Sequence, residues 1–153
     1  ANAEAEKPKG IYVGLKIDCP TIKDAHVTVL YSPNATLSKT KVQEWVDFFK
    51  PKIEEGCFEL RGPAIRIKSN PLKVLNQALV LECHVPFTVH MLREILIKEG
   101  VPHSYPEWTP HLTIVDGLDP DHAERLKTYF ATDGSFHGHN YPIKEVYVED
   151  LVD

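Results

Sequence analysis

Two stretches far apart in the chain repeat one short pattern. Ala25-His26-Val27-Thr28-Val29-Leu30 and Trp108-Thr109-Pro110-His111-Leu112-Thr113-Ile114-Val115 each set His-x-Thr inside an apolar run. Side chains alternate between the faces of a β-strand, so His and Thr two residues apart share a face while Val27, Val29, Leu112 and Ile114 point the other way. Each run reads as a strand with a buried side and a side bearing one imidazole and one hydroxyl. A fold that sets the two strands side by side gathers His26, Thr28, His111 and Thr113 around one cleft. Either histidine alone reads equally well as a half-buried, hydrogen-bonded strand residue, and one copy of so short a pattern says little. The doubling carries the information.

The rest of the composition narrows what such a cleft can serve. At 153 residues the chain holds one domain with a real core, or two small lobes sharing one. Its apolar runs, such as Ala78 to Leu81, fall far short of the roughly 20 residues a membrane span needs. No basic, apolar, small-residue leader opens it. Cys19, Cys57 and Cys83 are odd in number and widely spaced, which suggests neither a disulfide framework nor a zinc ribbon. A cytoplasmic protein is expected. The formal charge of -5 supplies no general field for long nucleic acid, but leaves room for a small anion in a local pocket.

Periodicity supplies the elements. Residues 1–9 read as a flexible tail and 10–153 as the folded domain. Gly10 to Ile17 alternates, with Ile11, Val13, Leu15 and Ile17 on one face and Tyr12, Gly14 and Lys16 on the other. The first His-x-Thr strand follows, about Ala25 to Tyr31. Val42, Trp45, Val46, Phe49 and Ile53 predict an amphipathic helix over 38–53, with Thr40 and Gln43 in capping-box spacing and Gly56 as its stop. Two short strands, Cys57 to Leu60 and Ala64 to Ile67, are expected next, then a loop over 68–76 signalled by Asn70-Pro71. A strand over 77–85 precedes a second helix over 88–99, capped at Gly100. After the second His-x-Thr strand, Asp119-Pro120 opens a third helix to about Phe130. A loop over 132–140 and a strand over 143–148 finish the chain. The order ββαβββαβαβ fits an α+β fold with antiparallel-rich sheets, and each half carries a His-x-Thr strand followed by an amphipathic helix.

Imidazole exchanges protons near neutral pH, so one histidine can take a proton from an attacking oxygen while another gives one to a departing oxygen. Two threonine hydroxyls can donate to the non-bridging oxygens of a phosphate between them. At this point the residues reach a family. His26-Val27-Thr28-Val29 and His111-Leu112-Thr113-Ile114 resemble the paired signature of the two-histidine phosphoesterases, the LigT-like group. The resemblance implies a bilobal domain with flanking helices and a central groove. It also implies metal-independent cleavage of phosphodiesters with His26 and His111 as base and acid, Thr28 and Thr113 on the phosphate, and no cofactor.

Members of that group act on RNA ends with cyclic phosphate, on 2′,5′-linked oligoadenylates and, in phage anti-CBASS proteins, on cyclic oligonucleotide messengers. The compact chain and Tyr12 on the first strand are similar to the phage group. The expected partner is a cyclic oligonucleotide or related small nucleotide. RNA ends with 2′,3′-cyclic phosphate, or 2′,5′-oligoadenylate, remain alternatives, as does a non-catalytic nucleotide-binding module on the same fold. Tyr12, Tyr105 and Trp108 are candidates to stack on a base, and Glu145, sharing a face with Tyr147 and Glu149, to bond one. Lys16 and Arg66 read as surface cations. His137-Gly138-His139 has metal-like spacing but no further ligand near it in sequence, so no metal is expected.

Overall fold

The strand that opens the domain shows why the chain folds as it does. In β1 (Gly10–Ile17) the odd-numbered side chains Ile11, Val13 and Leu15 are wholly buried, Lys16 is exposed and Tyr12 half-buried. That one-sided burial fixes register against both neighbours, because a one-residue slip would turn the apolar set to solvent. The computed structural model describes residues 10–33, 39–55, 63–75, 77–101, 108–133 and 139–151. Among them the remaining elements are β2 (His26–Ser32), α1 (Lys39–Glu54), β3 (Ala64–Leu75), β4 (Ala78–His84), α2 (Phe87–Lys98), β5 (His111–Val115), α3 (Pro120–Asp133) and β6 (Asn140–Leu151).

All neighbouring strands are antiparallel and follow the order β1-β2-β5-β4-β3-β6, with β6 returning to β1 to close a barrel. The mixed α+β, antiparallel class expected from the sequence is what forms. The ring is uneven. β6, β1 and β2 pair along most of their lengths, as do β3 and β4. Among the described residues β3 pairs with β6 through Ala64 to Arg66, with backbone bonds from Ile67 N–H to His139 O and from Ile143 N–H to Pro63 O on either side, and β2 joins β5 through Val27 opposite Leu112. Val27, Val29 and Leu112 turn into the core, where they meet Val42, Val46, Phe49 and Ile53 of α1 and Val89, Leu92 and Leu96 of α2. Helix α1 lies against β6 and α2, and α3 against β3 and β4.

The helix ends largely follow the sequence signals. Gly100 has φ of 100°, donates to Ile97 O, and is followed by Val101 N–H on Leu96 O, which is the Schellman closure of α2. Asp119 accepts from the backbone of His122 at 2.8 Å and caps α3. The capping box at Thr40 does not form: Thr40 is already inside α1, and Gln43 donates instead to Asp47 one turn on. Pro51 lies within α1, which runs on to Glu54.

The loop expected over 68–76 is largely absent, because β3 continues to Leu75. The register jumps from Ile67 opposite Cys83 to Leu72 opposite Leu81, so three extra residues bulge from β3. Pro71 cannot donate to a ladder and is accommodated where the ladder is already interrupted. The Asn70-Pro71 signal therefore marks a bulge within one strand. Helix α3 reaches Asp133 and β6 begins at Asn140, both beyond the expected bounds, since β6 pairs with β1 along its length and with β3 at its start. The expected strand at Cys57 to Leu60, the tail over 1–9 and Tyr105 lie outside the described residues. No helix among the described residues is long and apolar enough to cross a membrane.

Candidate active site

The narrow join between β2 and β5 is where the two repeats meet. Val27 faces Leu112, and carrying that antiparallel register one residue each way sets His26 opposite Thr113 and Thr28 opposite His111. With Val27 and Leu112 wholly buried, alternation turns all four motif side chains to the opposite face. They form a two-by-two plate with the histidines on one diagonal and the threonines on the other. Diagonal positions of an antiparallel pair stand about 7–8 Å apart. The two imidazoles thus stand on one face, diagonally across the β2–β5 join.

Both histidines are anchored in the same way. His26 Nδ1 lies 3.0 Å from Asp24 O, and His111 Nδ1 lies 2.9 Å from Thr109 O. A carbonyl only accepts, so Nδ1 carries the hydrogen in each ring and Nε2 is left for chemistry. The carbonyl two residues upstream is used each time. At the first motif this comes with Asp24 in a left-handed conformation, φ 53°, a region that Asp tolerates better than most residues.

Tyr12 extends the plate from β1. Gly14 is the register partner of Thr28, and Lys16 of His26. The Tyr12 ring lies over Gly14, where an added Cβ would fall 2.6 Å from Cε1. Across that gap the Tyr12 hydroxyl meets Thr28 Oγ1 at 3.1 Å. Its ring also touches the edge of His26 and the ring of Tyr147. Desolvation raises the pKa of Tyr12, and desolvation followed by the neighbouring Tyr12 raises that of Tyr147, so both stay neutral phenols. Glu145 pairs with Lys16 at 3.5 Å, with both side chains about half exposed.

Trp108 has a second occupation that its sequence position does not reveal. Its indole N–H donates to Thr28 O at 2.9 Å, bridging from the segment before β5 to β2. Beside it, Arg93 of α2 donates to Val29 O at 3.2 Å and lies 5.0 Å from the Trp108 ring centre. His90 meets that ring edge-on. These side chains satisfy carbonyls just past the point where the β2–β5 ladder stops. Sequence pattern alone does not assign Arg93 a role. The local signal is its place on the apolar stripe of α2, among Val89, Leu92 and Leu96, where a buried guanidinium needs a partner.

The plate borders two hollows where the sequence suggested one. A cleft of about 860 Å³ is lined by Thr28, His111 and Thr113, with Trp108, Tyr31 and Val80 among its walls. A second, of about 640 Å³, opens on the far side of His26 between the β1–β2 connection and β6. His139 stacks on Tyr141, while His137 lies outside the described residues. Among the described residues no three His, Cys, Asp or Glu side chains are grouped to hold a metal ion. No model of a known protein family matches the sequence, and no curated protein matches it either.

Proposed function

We propose that this chain is a cytoplasmic, metal-independent phosphodiesterase with the bilobal architecture of the two-histidine phosphoesterases, acting on a cyclic oligonucleotide or a related small nucleotide. The observation that carries the reading is the matched anchoring of His26 and His111, each with Nδ1 on a backbone carbonyl and with no hydrogen bond at Nε2 among the described residues, on a plate shared with two threonines. A core histidine has no reason to repeat that arrangement at two places 85 residues apart.

In this mechanism a phosphodiester sits over the plate with its non-bridging oxygens on Thr28 and Thr113. One imidazole, neutral, takes the proton of the attacking oxygen through Nε2, and the other, protonated, gives its Nε2 proton to the departing oxygen. The threonine hydroxyls hold the group in line and donate to the charge that develops on it. Tyr12 keeps Thr28 in place through its own hydroxyl. Trp108 and Arg93 hold β2 and β5 together beneath them. The larger cleft, with Trp108, Tyr31 and Val80, offers a base an apolar wall.

The test is turnover in excess chelator of 2′,3′-cyclic mononucleotides, 2′,5′-oligoadenylate and 3′,5′-linked cyclic di- and trinucleotides. Wild type is expected to cleave at least one class, and His26→Ala and His111→Ala each to lose about 10²–10⁴ in rate, the usual scale of a general acid or base. Silence of folded wild-type protein across the panel would sink the proposal.

A further inference from the structure

The hollow beyond His26 differs in chemistry from the cleft beside it. Lys16, Lys23 and Lys144 line it, together with Asp18, Asp24 and Tyr147. In a chain with a formal charge of -5, three lysines line one hollow that shares His26 with the plate. Asp18 and Asp24 share the lining, which carries one more lysine than carboxylate, and Glu145 outside it pairs with Lys16.

The lysines are placed to act. Lys16 is the direct cross-strand partner of His26, so its side chain rises on the same face. Its pairing with Glu145 is 3.5 Å long and about half exposed, the kind of contact that contributes little and exchanges readily. Lys23 stands three residues before His26, within about 11 Å of it even along a fully extended chain. Neither Lys23 nor Lys144 has an ion pair among the described residues. The backbone around them is fixed: Ile17 N–H bonds Ala25 O and Asp18 N–H bonds Pro142 O, so the wall they stand on is held from both strands.

Granting the phosphodiesterase reading of the plate, on which this inference rests, a nucleotide with its single phosphate on the plate and its base in the large cleft has no second phosphate to reach this hollow. We propose that the Lys16–Lys23–Lys144 hollow receives a second phosphate of the substrate, one nucleotide beyond the bond that breaks on the His26 side. The protein then selects oligonucleotides with two or more phosphodiesters over nucleotides with one.

The experiment measures binding separately from cleavage. In a His111→Ala background, ApA with one phosphodiester and ApApA with two, each in 3′,5′- and 2′,5′-linked form, are titrated by calorimetry over a series of salt concentrations. ApApA is expected to bind at least about tenfold more tightly, with a salt slope steeper by about 0.7 for each lysine engaged. In Lys23→Gln/Lys144→Gln that preference should vanish, and in Lys23→Arg/Lys144→Arg it should return. Equal binding of the two ligands before any lysine is changed would overturn the inference, as would a preference that survives the double Gln variant. Wild-type turnover of the full panel used to test the phosphodiesterase reading is measured in parallel. No cleavage together with a lysine-dependent preference would overturn the catalytic reading and leave the phosphate site standing. Cleavage without the preference would do the reverse.

Discussion

Changing Gly14 to Ala should displace a side chain on which the plate depends. The backbone at Gly14 has no left-handed φ, so Ala is allowed there, and only the space is contested. An added Cβ would lie 2.6 Å from Tyr12 Cε1 and 2.9 Å from its hydroxyl oxygen, and the ring is the part that can move. Moving it breaks the 3.1 Å bond to Thr28, a loss of about 0.5–1.5 kcal/mol. It also disturbs the contact with Tyr147, centroids 5.8 Å apart, for about another 0.5–1.5 kcal/mol. Against this, replacing Gly by Ala restricts the unfolded chain and returns about 0.4–1 kcal/mol. The net is a destabilisation of about 0–2.6 kcal/mol, centred on about 1.3 kcal/mol. In a Tyr12→Ala background the contested space is empty, the same change keeps only its gain, and the sign reverses. The coupling between the two sites should be about 1–3 kcal/mol, within the range for residues in contact. Urea unfolding of the four proteins of this cycle, compared at constant slope, measures it. A Gly14→Ala effect of the same sign and size in both backgrounds would refute the placement of the ring.

Three further outcomes follow from other joints. Trp108→Phe keeps a ring but leaves Thr28 O without its donor, and urea unfolding should register a loss of about 1–3 kcal/mol. Asp24 holds φ 53°, so in thermal melts Asp24→Val should be less stable than Asp24→Gly by about 1–2 kcal/mol; equal melting points would remove the strain argument. Burial pushes the Cys83 thiol up to about 12, whereas in the unfolded chain it ionises near about 8.5. Its contribution is therefore whole below the unfolded value and is lost as pH rises toward the folded one, at no more than about 1.4 kcal/mol per pH unit. Urea midpoints from pH 8 to 10 should fall more steeply in wild type than in Cys83→Val.

What the sequence disclosed was whatever depends on one face being buried. The alternation in β1, β2 and β5 and the apolar stripes of the helices were legible because each is a local response to a core. The stop at Gly100 and the cap at Asp119 were legible because each is a local backbone requirement. The bulge at Pro71 was half legible: the residue announces an interruption, but whether the chain then turns away or rejoins the same strand depends on β4. Trp108 was beyond reach, since its partner carbonyl is 80 residues earlier and nothing local separates a ring facing a ligand from one bracing a seam. The anchoring of each imidazole involves backbone oxygens, which every sequence has. The lysine hollow needed β6 folded back beside the β1–β2 connection before Lys144 could stand near Lys23.

The two repeats meet at the thinnest joint of the barrel, with Val27 and Leu112 as its only register pair. A phosphate held by Thr28 from one side and Thr113 from the other would act as a rivet through that joint. Occupancy should then be felt mechanically: the amides of β2 and β5 should exchange hydrogen more slowly with ligand bound, and those of α3, which packs on β3 and β4, should not change. On the proposed phosphodiesterase reading the molecule would be stiffest with a substrate in place and slackest once the pieces had gone, and letting go would then be a property of the seam rather than of a separate gate.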